Sequence, residues 1–319
     1  MPKVSILIPV FNREAFLADC IQSALSQTFT DFEVIVVDNA STDRSWEVAL
    51  AFTSVDSRVR VFRNEVNIGP VRNWQRCLDE AIGEYAKFLF SDDLMFPDFL
   101  SVTLPKFGSK DIAFVSTAAF IGDNIHNTVV SYADANYPEV ISTECYVNRL
   151  ADGDPKIPVS PGTAIFRMID ARKNLLLDIP TTTHHDFAKN GAGPDVLLFA
   201  LTATSHRFVA FVNQPLVFFR VHDQSLTISS HDNTILEGYR LALAWFLKHH
   251  SSPNNWGRLI ARIWVSSAKN TLACESPFKL TQRYSGDGSW SDAGRLFYES
   301  IKLVFIRMKL HKMHIARFK

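Results

Sequence analysis

The chain has 319 residues, 47% of them hydrophobic and 21% charged, with Lys+Arg and Asp+Glu balanced at 33 each. That length holds one large domain, or one with an appendage, and the balanced charge gives no bulk attraction to nucleic acid. The cysteines Cys20, Cys77, Cys145 and Cys274 lack CxxC spacing, which speaks against a zinc site and fits a reducing cytosol.

Val4 to Val10 (VSILIPV) is an apolar run of strand length, entered from Met-Pro-Lys with no cleavage-site pattern, so no signal peptide is expected. Leu17, Cys20, Ile21, Ala24 and Leu25 then recur at helical spacing. Phe32 to Val37 predicts a second strand, closed by Asp38-Asn39, and Ser41 to Asp43 supply cap residues ahead of a helix marked by Trp46, Ala49 and Leu50. Val59 to Phe62 is a third, shorter strand. Pro70 opens a helix whose Trp74, Cys77, Leu78, Ala81 and Ile82 share one face, with Trp74 read as core, and Gly83 ends it. Tyr85 to Phe90 is a fourth strand, halted by Ser91-Asp92-Asp93. Uniformly apolar strands separated by amphipathic helices imply an α/β fold: a mainly parallel, Rossmann-like sheet with helices on both faces.

Beyond Asp111 the regularity fades. Ile112 to Ala119 predicts a strand, Asp123 to Pro158 reads as polar and loop-rich, and Thr163 to Arg167 resumes a strand. Asp195 to Thr204 predicts a helix, and Phe208 to Val221 one or two strands broken by Gln214-Pro215. The apolar region from Val196 to Phe219 is interrupted by Ser205-His206-Arg207, which argues against a membrane span of about 20 residues. From about Asn233 the chain is mainly helical. The expected organisation is a catalytic domain over 1–232, with a nucleotide-binding half (1–110) and an acceptor-binding half (111–232), then a helical region over 233–319.

Ligands of open parallel sheets bind beyond the carboxyl ends of the strands. The residues there are Pro9-Val10-Phe11-Asn12, Asp38, Asn64 to Asn67 and Asp92-Asp93, so polar and acidic groups gather on one rim. The turn after the first strand, PVFNRE, has no glycine, and no GxxxxGK[ST] occurs, so neither dinucleotide nor P-loop chemistry is available. Adjacent carboxylates are hard oxygen ligands for Mg²⁺ or Mn²⁺, which can bridge to a diphosphate.

At this point five segments together resemble glycosyltransferase family 2, whose catalytic domain has the GT-A fold. They are VSILIPVFNRE, VIVVDNASTD at 34–43, NIGPVRNWQRCLDEAIGEYAKFLFSDD at 67–93, GPDVLLF at 193–199 and PLVFFRVHDQSLT at 215–227, and the resemblance spans roughly residues 2 to 230. It implies an inverting transferase that uses a nucleotide-activated sugar, with a UDP-sugar as the first expectation for the donor and a glycan or lipid-linked glycan as the acceptor. By the same resemblance Pro9, Phe11 and Asn12 line the nucleobase and ribose pocket, and Asp38 bonds the base. Arg72 or Asn73 sits beside the nucleotide. Asp92-Asp93 matches the metal-binding acid motif, with Asp93 the direct ligand of a divalent cation (Mn²⁺ or Mg²⁺). Asp195 aligns with the catalytic base, His222 with a histidine that completes the metal or diphosphate site, and Arg220 lies near enough in sequence to assist the diphosphate. Two positions depart from the pattern: Phe90 stands where the family commonly has the first Asp of Asp-x-Asp-Asp, and Pro194 where the base motif usually has Glu.

His184-His185-Asp186 reads as a polar loop, or as an acceptor contact because it precedes Asp195. The tail after Glu299 carries Lys302, Arg307, Lys309, Lys312, Arg317 and Lys319 among apolar residues, without an acid. Such a helix either packs on the domain or lies on an anionic membrane surface, so the expected location is cytoplasmic, with peripheral attachment to the inner face of the membrane. Two other functions stay open on the sequence: a sugar nucleotidyltransferase, and a non-catalytic nucleotide- or glycan-binding module.

Overall fold

The computed structural model describes residues 1–108, 111–133, 138–183, 185–189, 191–223, 225, 234–270, 276–285 and 294–303. The first quarter alternates β1 (Val4–Val10), α1 (Leu17–Leu25), β2 (Phe32–Asp38), α2 (Ser45–Phe52), β3 (Val59–Arg63), α3 (Pro70–Glu80) and β4 (Tyr85–Phe88). β1 pairs in parallel with β2 on one side and β4 on the other, and β2 pairs in parallel with β3. Every residue of β1 and β2 is buried, because successive side chains feed opposite cores. Ile6, Ile8, Val34 and Val36 pack with the Leu17, Cys20, Ile21 and Ala24 face of α1. Leu7, Ile35 and Val37 pack with Val71, Trp74, Cys77 and Leu78 of α3. A strand covered on both faces cannot show apolar–polar alternation, hence the continuous runs in the sequence. Pairing of β1 with β4 ends at Leu7↔Phe88, so Pro9, which has no N–H to give, lies beyond the part of the ladder that needs one.

Beyond β4 the sheet becomes mixed. Its order is β3-β2-β1-β4-β9-β6-β10-β5, with β5 (Leu94–Met95), β6 (Ile112–Asn124), β9 (Ala164–Arg167) and β10 (Phe208–Arg220). β9 runs antiparallel to both β4 and β6, and β10 parallel to β6. The stretch 123–158, expected as polar loop, instead holds β7 (Asn127–Ser131), β8 (Val140–Ser142) and α5 (Thr143–Asp152). β7 is a largely solvated edge strand, which is why its composition reads as loop. α5 is closed at its N-terminus by the Ser142 hydroxyl and at its C-terminus by Gly153 at φ 61°. β10 is one strand, and Gln214-Pro215 is taken up as a register shift against β6 rather than a break.

α4 (Phe99–Thr103) follows β5, and α6 (Met168–Asn174) and α7 (Pro194–Thr204) complete the second half. The C-terminal region contains α8 (Thr234–His250), α9 (Pro253–Asn270), α10 (Pro277–Ser285) and a helix over 294–303, α11. Leu241, Ala242, Phe246, Trp256, Leu259 and Leu280 join the apolar cluster that holds Val196 and Phe199 of α7. The C-terminal helices therefore share a core with the sheet. No helix among the described residues is long and apolar enough to cross a membrane.

Candidate active site

Asp38 closes β2 and is fully buried. Its Oδ2 accepts the Ser41 amide at 3.2 Å and pairs with Arg63 Nε at 3.1 Å. Its Oδ1 has no partner among the described residues. A buried carboxylate oxygen without a donor is costly. Asn12, at φ 51°, clamps the β1 loop onto the β2 loop: its amide N–H donates to Ser41 Oγ at 2.9 Å and its Oδ1 accepts the Thr42 amide at 2.8 Å. Phe11 is 40% exposed beside this clamp, whereas Pro9 is buried.

Asn73 is buried in an amide network. Its Nδ2 donates to the Val37 carbonyl at 3.0 Å, and Asn64 Nδ2 donates to both Asn73 Oδ1 and Asn39 Oδ1 at 2.9 Å. Arg72, its neighbour on α3, is exposed. The two alternatives for one ligand contact thus lie in different environments.

After β4 the chain turns through Phe90-Ser91-Asp92-Asp93, with the Asp93 amide donating to the Phe90 carbonyl at 3.0 Å. The Arg220 amide donates to Asp93 Oδ1 at 3.0 Å, and Arg220 Nε donates to the Asp92 carbonyl at 3.1 Å. Asp92 Oδ2 is met by Arg13 Nε at 3.2 Å and by His222 Nε2 at 2.9 Å. Phe16 carries the back of this group, its ring 4.7 Å from that of His222 and 4.9 Å from the Arg220 guanidinium. Below the turn, the buried Lys87 ammonium donates to the carbonyls of Phe88 (2.7 Å) and Gly162 (2.5 Å) and lies over the Phe99 ring. Burial brings its pKa down to about 7, against the opposing pull of Asp93.

Burial, and then the neighbouring Asp92 charge, push the Asp93 carboxyl well above the usual carboxylate range. Among the described residues no group of three or more His, Cys, Asp or Glu side chains is placed to hold a metal ion as a cage. A closed cage is not required, since Mg²⁺ and Mn²⁺ keep waters and share substrate phosphate oxygens with one or two carboxylates. Asp92 and Asp93 are hard carboxylate ligands of the kind such an ion takes, and a dication would relieve the crowding that raises the Asp93 pKa.

Asp195 is the second residue of α7 and is 7% exposed. Gly191 and Gly193, at φ 78° and 115°, shape the approach and Pro194 starts the helix. Oδ1 accepts the amides of Gly193 (2.9 Å) and Val196 (2.7 Å), and Oδ2 accepts the Tyr239 hydroxyl from α8. Burial raises its pKa to about 6, with the Tyr239, Gly193 and Val196 hydrogen bonds restraining the rise. Trp74 bridges this loop and the acid turn. Its ring centroid lies 5.3 Å from Phe90, and a Cβ on Gly191 would come within 2.7 Å of the indole. Phe90, which replaces an acid in the resembled motif, thus belongs to an aromatic wall between the two acidic sites.

The structure brings Asp92, Asp93, Arg220 and His222 into direct contact, joins Asn12 to the Asp38 loop through Ser41, and sets Asp195 across Trp74. Sequence reasoning missed Arg13, Phe16, Lys87 and Tyr239. Arg13 lies within the quoted PVFNRE turn and Phe16 two residues beyond it, and a charged residue amid the apolar β4 run marks Lys87; Tyr239 leaves no local signal. His185 lies with its ring 4.6 Å from Phe187, near α8, while His184 is outside the described residues.

Residues 5–172 match the profile of Glycosyl transferase family 2. The chain is 26% identical over 303 residues to the putative glycosyltransferase EpsH of Bacillus subtilis, covering 86% of this chain and 84% of that protein. A shorter stretch of 107 residues is 37% identical to the GalNAc(5)-diNAcBac-PP-undecaprenol beta-1,3-glucosyltransferase of Campylobacter jejuni, covering 33% of this chain and 35% of that one. Among solved structures, S. aureus TarS 1-349 in complex with UDP-GlcNAc superposes with a TM-score of 0.64 at 17% identity, over 94% of this chain and 91% of that one.

Proposed function

The chain belongs to glycosyltransferase family 2, and from that premise we propose that it transfers a sugar from a UDP-sugar to a glycan hydroxyl with inversion. The observation that carries this reading is the cluster beyond β4, where Arg13 and His222 meet the Asp92 carboxylate and Arg220 meets both Asp92 and Asp93. An acid pair with two arginines beside it suits a diphosphate leaving group and its cation, and the buried Asp195 on α7 is the candidate base.

The unpartnered Asp38 Oδ1 accepts an N–H of the base, as the N3–H of uracil would supply. Phe11 offers an exposed face to the nucleoside, while Asn12 holds the two loops in place. Arg13 and Arg220, already turned toward the acid pair, face the diphosphate and offset its charge. Asp93, with Asp92 and His222, would hold Mn²⁺ or Mg²⁺, which when bound supplies Lewis-acid stabilisation of the departing diphosphate. Asp195 takes the proton of the acceptor hydroxyl, whose oxygen then bonds to the anomeric carbon while the diphosphate departs with its electron pair. A single displacement from the face opposite the leaving group inverts the centre.

The Campylobacter relative is named for an undecaprenol-linked glycan, which favours a lipid-linked or surface-polysaccharide acceptor here. Peripheral attachment at the membrane suits that acceptor. Phe297, Tyr298 and Ile301 of α11 are exposed at 58%, 60% and 40%, beside Lys302. Arg307, Lys309, Lys312, Arg317 and Lys319 lie outside the described residues.

The deciding experiment measures nucleoside diphosphate release from a panel of UDP-, GDP- and TDP-sugars with Mn²⁺, Mg²⁺ or excess chelator, and assigns the product anomer by NMR. Release from a UDP-sugar, dependent on the ion and giving an inverted product, is expected. A retained anomer overturns the single displacement, and full turnover in chelator overturns the cation.

A further inference from the structure

Asp195 is held by more groups than a helix terminus requires. A carboxylate offers about four lone-pair positions. Two on Oδ1 are taken by the Gly193 and Val196 amides, and one on Oδ2 by the Tyr239 hydroxyl. That leaves one position on Oδ2. The third donor comes from α8, beyond the segment that matches the family. The contact is built in: α8 presses so closely on the base loop that a Cβ on Gly238 would lie 2.7 Å from the Ala192 carbonyl and 2.9 Å from His185 Nε2. Tyr132 follows β7, and burial, then the Asp195 charge, raise its pKa. It adopts φ 60°, a left-handed conformation unusual for an aromatic residue and concentrated at functional sites.

We propose that Tyr239 is a positioning residue for Asp195: its hydroxyl fixes the carboxylate and occupies one side of Oδ2, so that a single lone pair is presented to the acceptor hydroxyl. The proposal rests on Asp195 being the base. In the transfer step the acceptor proton moves to that free position on Oδ2, the acceptor oxygen bonds to the anomeric carbon, and the bond to the diphosphate breaks. Tyr239 keeps its own proton throughout and continues to donate to Oδ2. Burial resists formation of the Asp195 carboxylate, and the Tyr239 hydroxyl opposes that resistance by hydrogen-bonding the charged form. The groups that hydrogen-bond the carboxylate are Tyr239 from α8 and the amides of its own helix start, and the Tyr132 phenol responds to its charge.

The test compares full-length wild type, Tyr239→Phe, and protein carrying 3-fluorotyrosine at position 239, a stronger donor of nearly unchanged shape. Carboxyl ¹³C NMR, assigned with Asp195→Asn, follows the Asp195 titration without any substrate. The expected midpoint rises by about half a pH unit or more in Tyr239→Phe and falls in the fluorotyrosine protein, because a hydrogen bond to the charged form lowers a carboxyl pKa. With a UDP-sugar that the wild type turns over, kcat of Tyr239→Phe should drop about tenfold at neutral pH with donor KM unchanged, and the acid limb should move with the NMR midpoint. An unchanged midpoint in both proteins, or a moved midpoint with wild-type kcat, overturns the role of Tyr239. Wild-type turnover by Asp195→Asn overturns instead the base assignment on which it rests, so the two failures are distinct.

Discussion

The backbone N–H of Arg220, at the end of β10, donates to Oδ1 of Asp93 over 3.0 Å, while the Arg220 side chain reaches the Asp92 carbonyl at 3.1 Å. The acid turn after β4 is thus fixed by a strand from the other half of the sheet. Asp93→Asn keeps an acceptor for the Arg220 amide and removes the charge. Turnover should fall by roughly 10²-fold or more, the scale of losing one group that stabilises transition-state charge. Metal-free UDP binding by calorimetry should change little, and wild-type turnover by this variant would remove Asp93 from the mechanism.

Asp38 leads to a prediction about base identity. In Asp38→Asn the amide oxygen can still accept from Ser41 and Arg63, which turns the NH₂ toward the position of the unpartnered Oδ1. A donor would then confront the N3–H of uracil. UDP affinity should fall at least about tenfold, as expected when a buried pair is left unmatched, while CDP, whose base N3 is an acceptor, should lose less. Equal losses for both nucleotides, read by thermal shift and calorimetry, would place the base elsewhere.

For Asp195 the pH dependence has a defined sign. Burial raises its pKa from 3.8 to about 6, so the basic form is lost as pH falls through about 6, and kcat should decline on that acid limb. Folding is linked to the same proton. The native state binds it more tightly than the unfolded chain does, so ionisation of Asp195 costs native stability as pH rises from about 4 to about 6. Asp195→Asn should lose transfer by about 10² to 10⁴, the usual contribution of a general base, retain UDP binding, and show a flatter dependence of Tm on pH over that interval. A variant with the wild-type pH profile would make Asp195 a helix-start residue only.

Gly191 is constrained twice, by φ 78° and by the Trp74 indole 2.7 Å from where a Cβ would stand. Gly191→Ala should cost about 1–3 kcal/mol, the range for a non-glycine residue forced into an unfavoured backbone region. Because the strain falls on the loop before Asp195, kcat should drop more than donor affinity. A substitution neutral in both thermal denaturation and rate would show that the loop adapts without moving the carboxylate.

The tail gives a binding prediction. Six basic residues from Lys302 to Lys319 could each contribute roughly 1 kcal/mol near an anionic leaflet, alongside the exposed Phe297, Tyr298 and Ile301. Deleting residues 304–319 should abolish sedimentation with phosphatidylglycerol vesicles at low salt and leave the Tm nearly unchanged. A full-length protein that ignores such vesicles would assign the tail to packing.

How much of this was written in the sequence follows from how far apart the interacting groups lie. The strands β1 to β4, the helices between them and the rim of Asn12, Asp38 and Asp92-Asp93 were legible, because a doubly covered strand and an amphipathic helix each impose their own local pattern. Strand ends then placed the acids on one edge without any long-range contact being known. The second half was less legible, since the edge strand β7 exposes most of its residues and α5 sits in polar sequence. The resemblance pointed to His222 and Arg220, but the pairings within the site were not legible: Arg13 meets Asp92 across 79 positions, His222 meets it across 130, and Tyr239 reaches Asp195 across 44. No periodicity encodes such pairs. Sequence alone determined which acids stand at the strand ends; tertiary packing decided which cations and hydroxyls hold them, and burial raised the pKa of Asp93 and Asp195.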